Sequence, residues 1–305
     1  MSDGSRHGVA FIRESVFGTT PATPAFQNVR STSCNLGLSK NSSQSEELRQ
    51  DRQIASFKHG ARSVSGDIGF EFSATTFDDF LESVLGGTWA ANVLKAGVLR
   101  RSYTIERYFS DIAPADKPWH RFTGCEINAL NLSVPTEGKV TGAFSFMGKD
   151  MSLGDALITG ASYSASTTTD VIDSFTGTIE EGGQSIGIVT EITLALQNNL
   201  AAKPVVGSKT TLQHSIGRSN LTGQITAYFE NAALLEKFVD EAYSSLKFTL
   251  ADDAGNSYEF LLPKIKYTGG VLNVSGEGPI TLPLPFQAVR DDTEGTNIKI
   301  TRTVV

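Results

Sequence analysis

The stretch INALNLSVPTEGKVTGAFSF, residues 127–146, decides the fold. Leu130, Leu132 and Val134 alternate with Asn131 and Ser133, and Val140, Phe144 and Phe146 alternate with Thr141, Ala143 and Ser145. PTEG, Pro135 to Gly138, separates the two runs as a turn. A period of two predicts a pair of antiparallel strands, each with one apolar and one small polar face. The same phase occurs in GDIGFEF (Ile68, Phe70, Phe72), in TEITLALQ (Ile192, Leu194, Leu196) and in LTGQITAYF (Leu221, Ile225, Ala227, Phe229). A mainly β chain of half-buried strands follows.

Two stretches change period. In FDDFLESVL, Phe77, Phe80, Leu81, Val84 and Leu85 fall at i, i+3, i+4, i+7 and i+8, and Gly86-Gly87 closes the run. In LEKFVDEAY, Leu235, Phe238, Val239, Ala242 and Tyr243 repeat those spacings. Each predicts a short amphipathic helix with a core face, Phe77, Phe80, Leu81 and Val84 in the first and Leu235, Phe238 and Val239 in the second.

The helices are part of an internal repeat. Leu36 and Leu38 match Leu194 and Leu196, Phe77 matches Leu235, and Gly66 of SVSGDIGFEF matches Gly223 of NLTGQITAYF within one residue of the same offset. KVTGAFSF, at Gly142, and NVSGEGPITLPLPF, at Gly276, share a further pattern of apolar residue, Ser or Thr, Gly, then an alternating strand. The expected organisation is an extended N-terminal arm over 1–27, a domain over 28–150, a connector rich in Ser, Thr and Gly over 151–184, a second domain over 185–292 and a C-terminal strand over 293–305. Each domain would be hairpin, helix, hairpin. In both, about 20 mostly polar residues separate the strands of the first hairpin, 40–61 and 198–217, far more than a hairpin turn needs. Contact arms are expected there, with Glu46, Glu47, Arg49, Asp51 and Arg52 on the first and Lys203, Lys209 and His214 on the second.

Composition narrows the function. The 305 residues carry 26 basic and 33 acidic side chains, a net charge of −7, so no overall positive field draws the chain onto nucleic acid. Two cysteines, Cys34 and Cys125, and four histidines, His7, His59, His120 and His214, are too few and too scattered for a zinc site or a disulfide framework. The opening MSDGSRHGVAFIRES lacks the order of a signal peptide, and no apolar run reaches the length of a membrane helix. GxSxG, P-loop, CxxC and HExxH motifs are missing, and the acidic pairs Asp78-Asp79, Glu180-Glu181 and Asp291-Asp292 are neighbours in sequence, whose carboxylates diverge. No catalysis, metal or cofactor is expected.

Three segments together resemble the major tail tube proteins of long-tailed, non-contractile phages. They are the run Glu14, Gly18, Thr19, Thr20, Pro21, Ala22, Thr23 and Pro24, the strand SVSGDIGFEF ahead of the first helix, and the closing Pro285, Phe286, Gln287 and Ala288. The resemblance implies two tandem tail-tube-type β-sandwich domains, each of two hairpins with a short flanking α-helix. It implies a structural virion protein, made in the host cytoplasm, that polymerises as stacked rings through which double-stranded DNA passes. Partners would be further copies of the chain, together with tape measure, terminator and tail-tip proteins, and no membrane. In that family the long hairpin loop reaches a neighbouring subunit or ring. Another tail component, a terminator or hub, and a β-sandwich adhesin or binding module are the alternatives.

The strand phase then gives a candidate lumen face: Asp67, Glu71, Asn131, Ser133, Thr141, Ser145, Glu191, Thr193, Gln224 and Thr226, with three acids and no base. A conduit for DNA needs such a surface, because bases would hold phosphates. An ordinary solvated sheet presents the same composition, and Lys264 and Lys266 oppose Ile265 and Tyr267 on the fourth hairpin. With two domains per chain, three copies would complete a pseudo-sixfold ring.

Overall fold

The computed structural model describes residues 2–174, 177–272, 274 and 276–305. Its strands are β1 His7–Arg13, β2 Ala25–Val29, β3 Ser33–Cys34, β4 Gly37–Gln44, β5 Phe57–Glu71, β6 Val93–Lys95, β7 Tyr103–Phe109, β8 Trp119–Val134, β9 Thr141–Gly148 and β10 Asp150–Gly154. They continue as β11 Ser162–Ser164, β12 Thr178–Glu181, β13 Gln184–Ser185, β14 Val189–Gln197, β15 Asn220–Tyr228, β16 Tyr243–Ala251, β17 Ser257–Tyr267, β18 Thr281–Ala288 and β19 Lys299–Thr303. Helix α1, Asp78–Leu85, follows β5, and α2, Ala233–Val239, follows β15.

The alternating strands build one central antiparallel sheet in the order β4–β5–β9–β8–β14–β15–β18–β17. β8 is its joint. Its second half pairs β9 on one side and β14 on the other, while its first half leaves the sheet to pair β7 and β10. β17 divides along one edge, pairing β19 at Ser257–Leu261 and β18 at Ile265–Tyr267, while β16 pairs its other edge from Ser257 to Lys266. Apart from the three-residue β6 inserted after α1, the order β4, β5, α1, β7, β8, β9 parallels β14, β15, α2, β16, β17, β18. β7 and β16 are additions to the two-hairpin scheme.

The pairing explains the glycine pattern and corrects one match. Gly66 lies opposite Phe146 and Gly223 opposite Phe286, so Phe146 and Phe286 hold the same place in β9 and β18. Gly142 is inside β9 opposite Phe70, whereas Gly276 precedes β18, so those two glycines are not equivalent. A Cβ at Gly142 would lie 2.5 Å from the Phe70 ring, and one at Gly223 2.5 Å from the Phe286 ring. Replacing Gly223 with Val is expected to cost about 2–3 kcal/mol in denaturant unfolding, because its Cβ would lie closer still to the Thr193 carbonyl oxygen, in the backbone of a packed sheet. Wild-type stability in that variant would show that both the strand backbone and the ring give way freely.

A second layer covers the inner face of the sheet. β7 lies between β1 and the first half of β8, and Phe11 of β1 packs on Phe80 at 4.5 Å and on Tyr103 at 5.5 Å between ring centres. His7–Arg13 and Ala25–Val29 are therefore built into this layer rather than lying in an extended arm; Val9, Ala10 and Phe11 are buried. Phe77, Phe80, Leu81 and Val84 of α1 are buried against Phe70, Phe144 and Phe146. Asp78 and Asp79 stand in the first turn of α1, where the helix dipole favours acids, and Gly86 ends it at φ +63°. α2 is less well covered. It stops at Val239, followed by Glu241 at φ +54°, so Ala242 and Tyr243 never join its face. Leu235 and Phe238 are half-buried, and Val239, expected in the core, is 69% exposed.

One hydrophobic cluster runs through both halves, with Phe72 against Tyr258 at 5.2 Å. The 151–184 segment stitches them: β10 pairs β8, β11 runs parallel to β2, β12 pairs β16, and buried Ile172 exchanges backbone hydrogen bonds with Phe72 and Val140. Phe175 and Thr176 of that segment lie outside the described residues. β19 pairs β17 and β6, and Arg302 is ion-paired to Asp78 of α1. No helix among the described residues is long and apolar enough to cross a membrane.

Candidate functional site

The outer face of the central sheet collects the polar halves of its alternating strands. Glu71, Thr141, Ser133, Thr193, Gln224 and Pro285 lie directly opposite one another on six successive strands. Gly69, Ala143, Asn131, Ala195, Thr222 and Gln287 form the next row. Asp67 is opposite Ser145 in a third row, and Glu191 opposite Thr226 beyond the first. All ten residues read from the sequence share this face, and all are exposed or half-buried. Small side chains hollow it: a concavity of about 630 Å³ is lined by Ser33, Gly69, Asn131, Ser133, Thr193 and neighbours.

Its charge differs from three acids without a base. Lys139, from the turn between β8 and β9, reaches Glu71 at 2.9 Å and neutralises it. Lys266 flanks Gln287 at the far edge and pairs with Glu241 at 3.0 Å. Among the described residues the Asp67 carboxylate takes the Asn35 side-chain amide at 3.5 Å and Glu191 makes no ion pair, so the face keeps these two carboxylates uncompensated at opposite ends of its rows. The acidic pairs of the sequence serve structure. Asp78 accepts from Tyr258 and Arg302, Glu181 from Lys237, Ser244 and Tyr267, and Asp291 from the backbone of Thr293 and Glu294. No group of three or more His, Cys, Asp or Glu able to hold a metal occurs among the described residues. Burial pushes the thiols of Cys34 and Cys125 up, away from nucleophilic chemistry.

The two expected arms differ. The β4–β5 ladder continues to Gln44 opposite Phe57, so 40–44 and 57–61 form a two-stranded ribbon whose tip, 45–56, is a loop. Its tip carries Glu46, Glu47, Arg49, Asp51 and Arg52, all exposed, with Arg49 paired to Asp51 at 2.8 Å. Leu48 is 99% exposed there and Ile54 62%. The second segment, 198–217, folds back. Ala201 bridges Ser215, Thr211 accepts from the Lys203 amide, and Lys209 accepts from the Arg62 amide at 2.7 Å. The Lys203 and Lys209 side chains are exposed, but His214 is buried, with Nδ1 2.8 Å from Glu126. His214 is thus removed from the contact set, because the buried Glu126 carboxylate collects it together with Arg100 at 2.7 Å.

The Glu14-to-Gly18 spacing also has a structural cause. The buried Glu14 carboxylate accepts from the Gly18 amide (2.7 Å), Ser102 Oγ (2.7 Å), Thr104 Oγ1 (2.9 Å) and the Gly124 amide (2.9 Å). Thr20 bonds Thr104 at 2.9 Å. The run after β1 is thereby fastened to β7 and β8. No signal in the sequence connects Glu14 to residues 88 or more positions away; only the fold brings them together.

The central sheet thus has one polar, hollowed face, a covered inner face and a ribbon at its edge. Among curated proteins none matches the chain. The family model described as phage tail tube protein matches residues 4–288. That match spans nearly the whole chain, which therefore belongs to the phage tail tube protein family and is a structural component of the virion tail.

Proposed function

We propose that three copies close into a ring, that rings stack into the tail tube, and that the hollowed polar face lines the channel through which DNA is ejected. The observation that carries this reading is the uninterrupted antiparallel sheet to which both halves contribute four strands each, β4–β5–β9–β8 and β14–β15–β18–β17. The repeated element order reads as two tandem tube domains packed on a shared core. Three copies supply about 24 strands; at about 4.8 Å spacing and a tilt near 45°, the closed sheet is roughly 50 Å across its backbone, wide enough for hydrated duplex DNA. Glu71, Asn131, Ser133, Thr141, Thr193, Gln224 and Thr226, with Asp67, Ser145 and Glu191, then face the lumen. The β4–β5 ribbon reaches the next ring or subunit, and tape measure, terminator and tail-tip proteins bind the tube within and at its ends.

Negative-stain images of concentrated purified protein test this directly. Tubes with a central channel are the expected result, and monodisperse particles at every concentration would overturn it. The lumen has its own test. Changing Glu71 and Glu191 to Lys is expected to leave tubes intact but to slow ejection several-fold in phage carrying the variant, since new phosphate contacts retain the duplex. Unchanged ejection would remove both residues from the channel.

A further inference from the structure

The β8·β14 junction joins the two halves edge to edge, with Leu194 opposite Leu132, Ala195 opposite Asn131 and Leu196 opposite Leu130. The repeat assigns each partner a counterpart. Leu36 and Leu38 of the first half stand where Leu194 and Leu196 stand in the second. Ile127 is opposite Phe146 and Tyr267 opposite Phe286, so the chain after Tyr267 stands where the pairing part of β8 stands. Both counterparts end on open edges. Among the described residues β4 pairs only β5, and Gly269–Leu272 belongs to no strand. Val271 is 73% exposed and Leu272 36%. The local geometry already fits a strand. A Cβ at Gly269 would meet Pro285 of the open face at 3.1 Å, and one at Gly270 would meet Leu235 and Leu284 on the core side, as alternation requires.

We infer that Gly269–Leu272 of one copy pairs antiparallel with the edge Leu36–Ser39 of the next, Val271 opposite Gly37 and Leu272 opposite Leu36, repeating between chains the junction that β8·β14 makes within one. This rests on the ring reading above. Strand addition gives the backbone of both edges strand partners and buries the exposed valine and leucine. In the single chain Arg107 of β7 donates to the Leu36 carbonyl at 2.7 Å, so this acceptor is capped until a neighbour replaces it. The partner is a second copy of the chain, since the template for the pairing is the chain's own junction.

A cross-link reads the register. Gly37 has room for a side chain, the nearest atom to an added Cβ being the Asn35 carbonyl oxygen at 3.7 Å. Gly37→Cys and Val271→Cys are combined in a Cys34→Ser chain, tubes are formed under reducing conditions, and the thiols are then oxidised. Covalent multimers on non-reducing gels, at least tenfold above either single variant, are expected. Tubes seen by negative stain without cross-links overturn this pairing while leaving the tube reading in place. Wild-type protein that forms no tubes overturns the reading beneath it. Should the variant fail to assemble, hydrogen exchange on wild-type protein decides. Amides of 36–39 and 269–272 are expected to exchange at least tenfold more slowly in tubes than in free subunits, and equal exchange would overturn the pairing.

Discussion

Replacing Glu46, Glu47, Arg49, Asp51 and Arg52 together by Ser is expected to abolish tube formation while leaving the melting temperature of the subunit unchanged. The tip of the β4–β5 ribbon is exposed throughout, and the ion pair that it makes, Arg49 with Asp51, joins residues two apart on the surface, where such pairs contribute little. The subunit loses nothing by the change. A two-stranded ribbon without a covered face is marginal alone in water, and fully exposed Leu48 at its end adds to that cost. A neighbour that covers it supplies the missing burial, and the charges at the tip set where it docks. Sedimentation and negative stain measure assembly, and a thermal melt measures the fold. Normal tubes from this variant would show that the ribbon is not an assembly contact.

The largest effect on stability is expected at Glu14. Glu14→Ala leaves two backbone amides, Gly18 and Gly124, and two hydroxyls, Ser102 and Thr104, facing a hole inside the protein. Removing a buried acceptor from several donors costs about 3–5 kcal/mol, since each keeps its desolvation penalty without its bond. Thr104 retains Thr20 as a partner, which lowers the cost somewhat. Glu14→Gln keeps one acceptor oxygen but points an NH2 at a donor, so it is expected to fall between wild type and Ala. Urea unfolding of the three proteins gives the order. A loss below about 1 kcal/mol for Ala would mean that water enters and replaces the carboxylate.

The parts of the fold legible in the sequence are those with one wet face. β8, β9, β14 and β15 alternate because their outer side chains meet solvent and their inner ones meet the core, so a period of two survives in the residues. β7 was not legible for the opposite reason. Tyr103, Thr104, Ile105 and Glu106 are all buried, so the short alternation of Tyr103 and Ile105 with Thr104 and Glu106 marks no wet face. β1 hides in the same way behind Val9, Ala10 and Phe11. Helix α1 was legible because its whole apolar stripe is used, whereas in α2 the same spacing runs past the helix end, so Val239 points to water.

The polar face was readable for the same reason as the strands that bear it. The partners of its charges were not, since Lys139 sits in a turn and reaches Glu71 only once β5 and β9 are side by side. The placement of His214 depends on Glu126 and Arg100, which come from separate parts of the chain. Equal length in the two polar segments could not show that one extends as a ribbon while the other folds back.

The number of chains per ring tests the central claim most directly, and a symmetry-resolved reconstruction of the tube measures it. Three chains per ring are expected, with pseudo-sixfold density, both halves of each chain lining the channel and the segment after Tyr267 beside β4 of the neighbour. Six chains per ring, with one half at the lumen and the other on the outside, would contradict it.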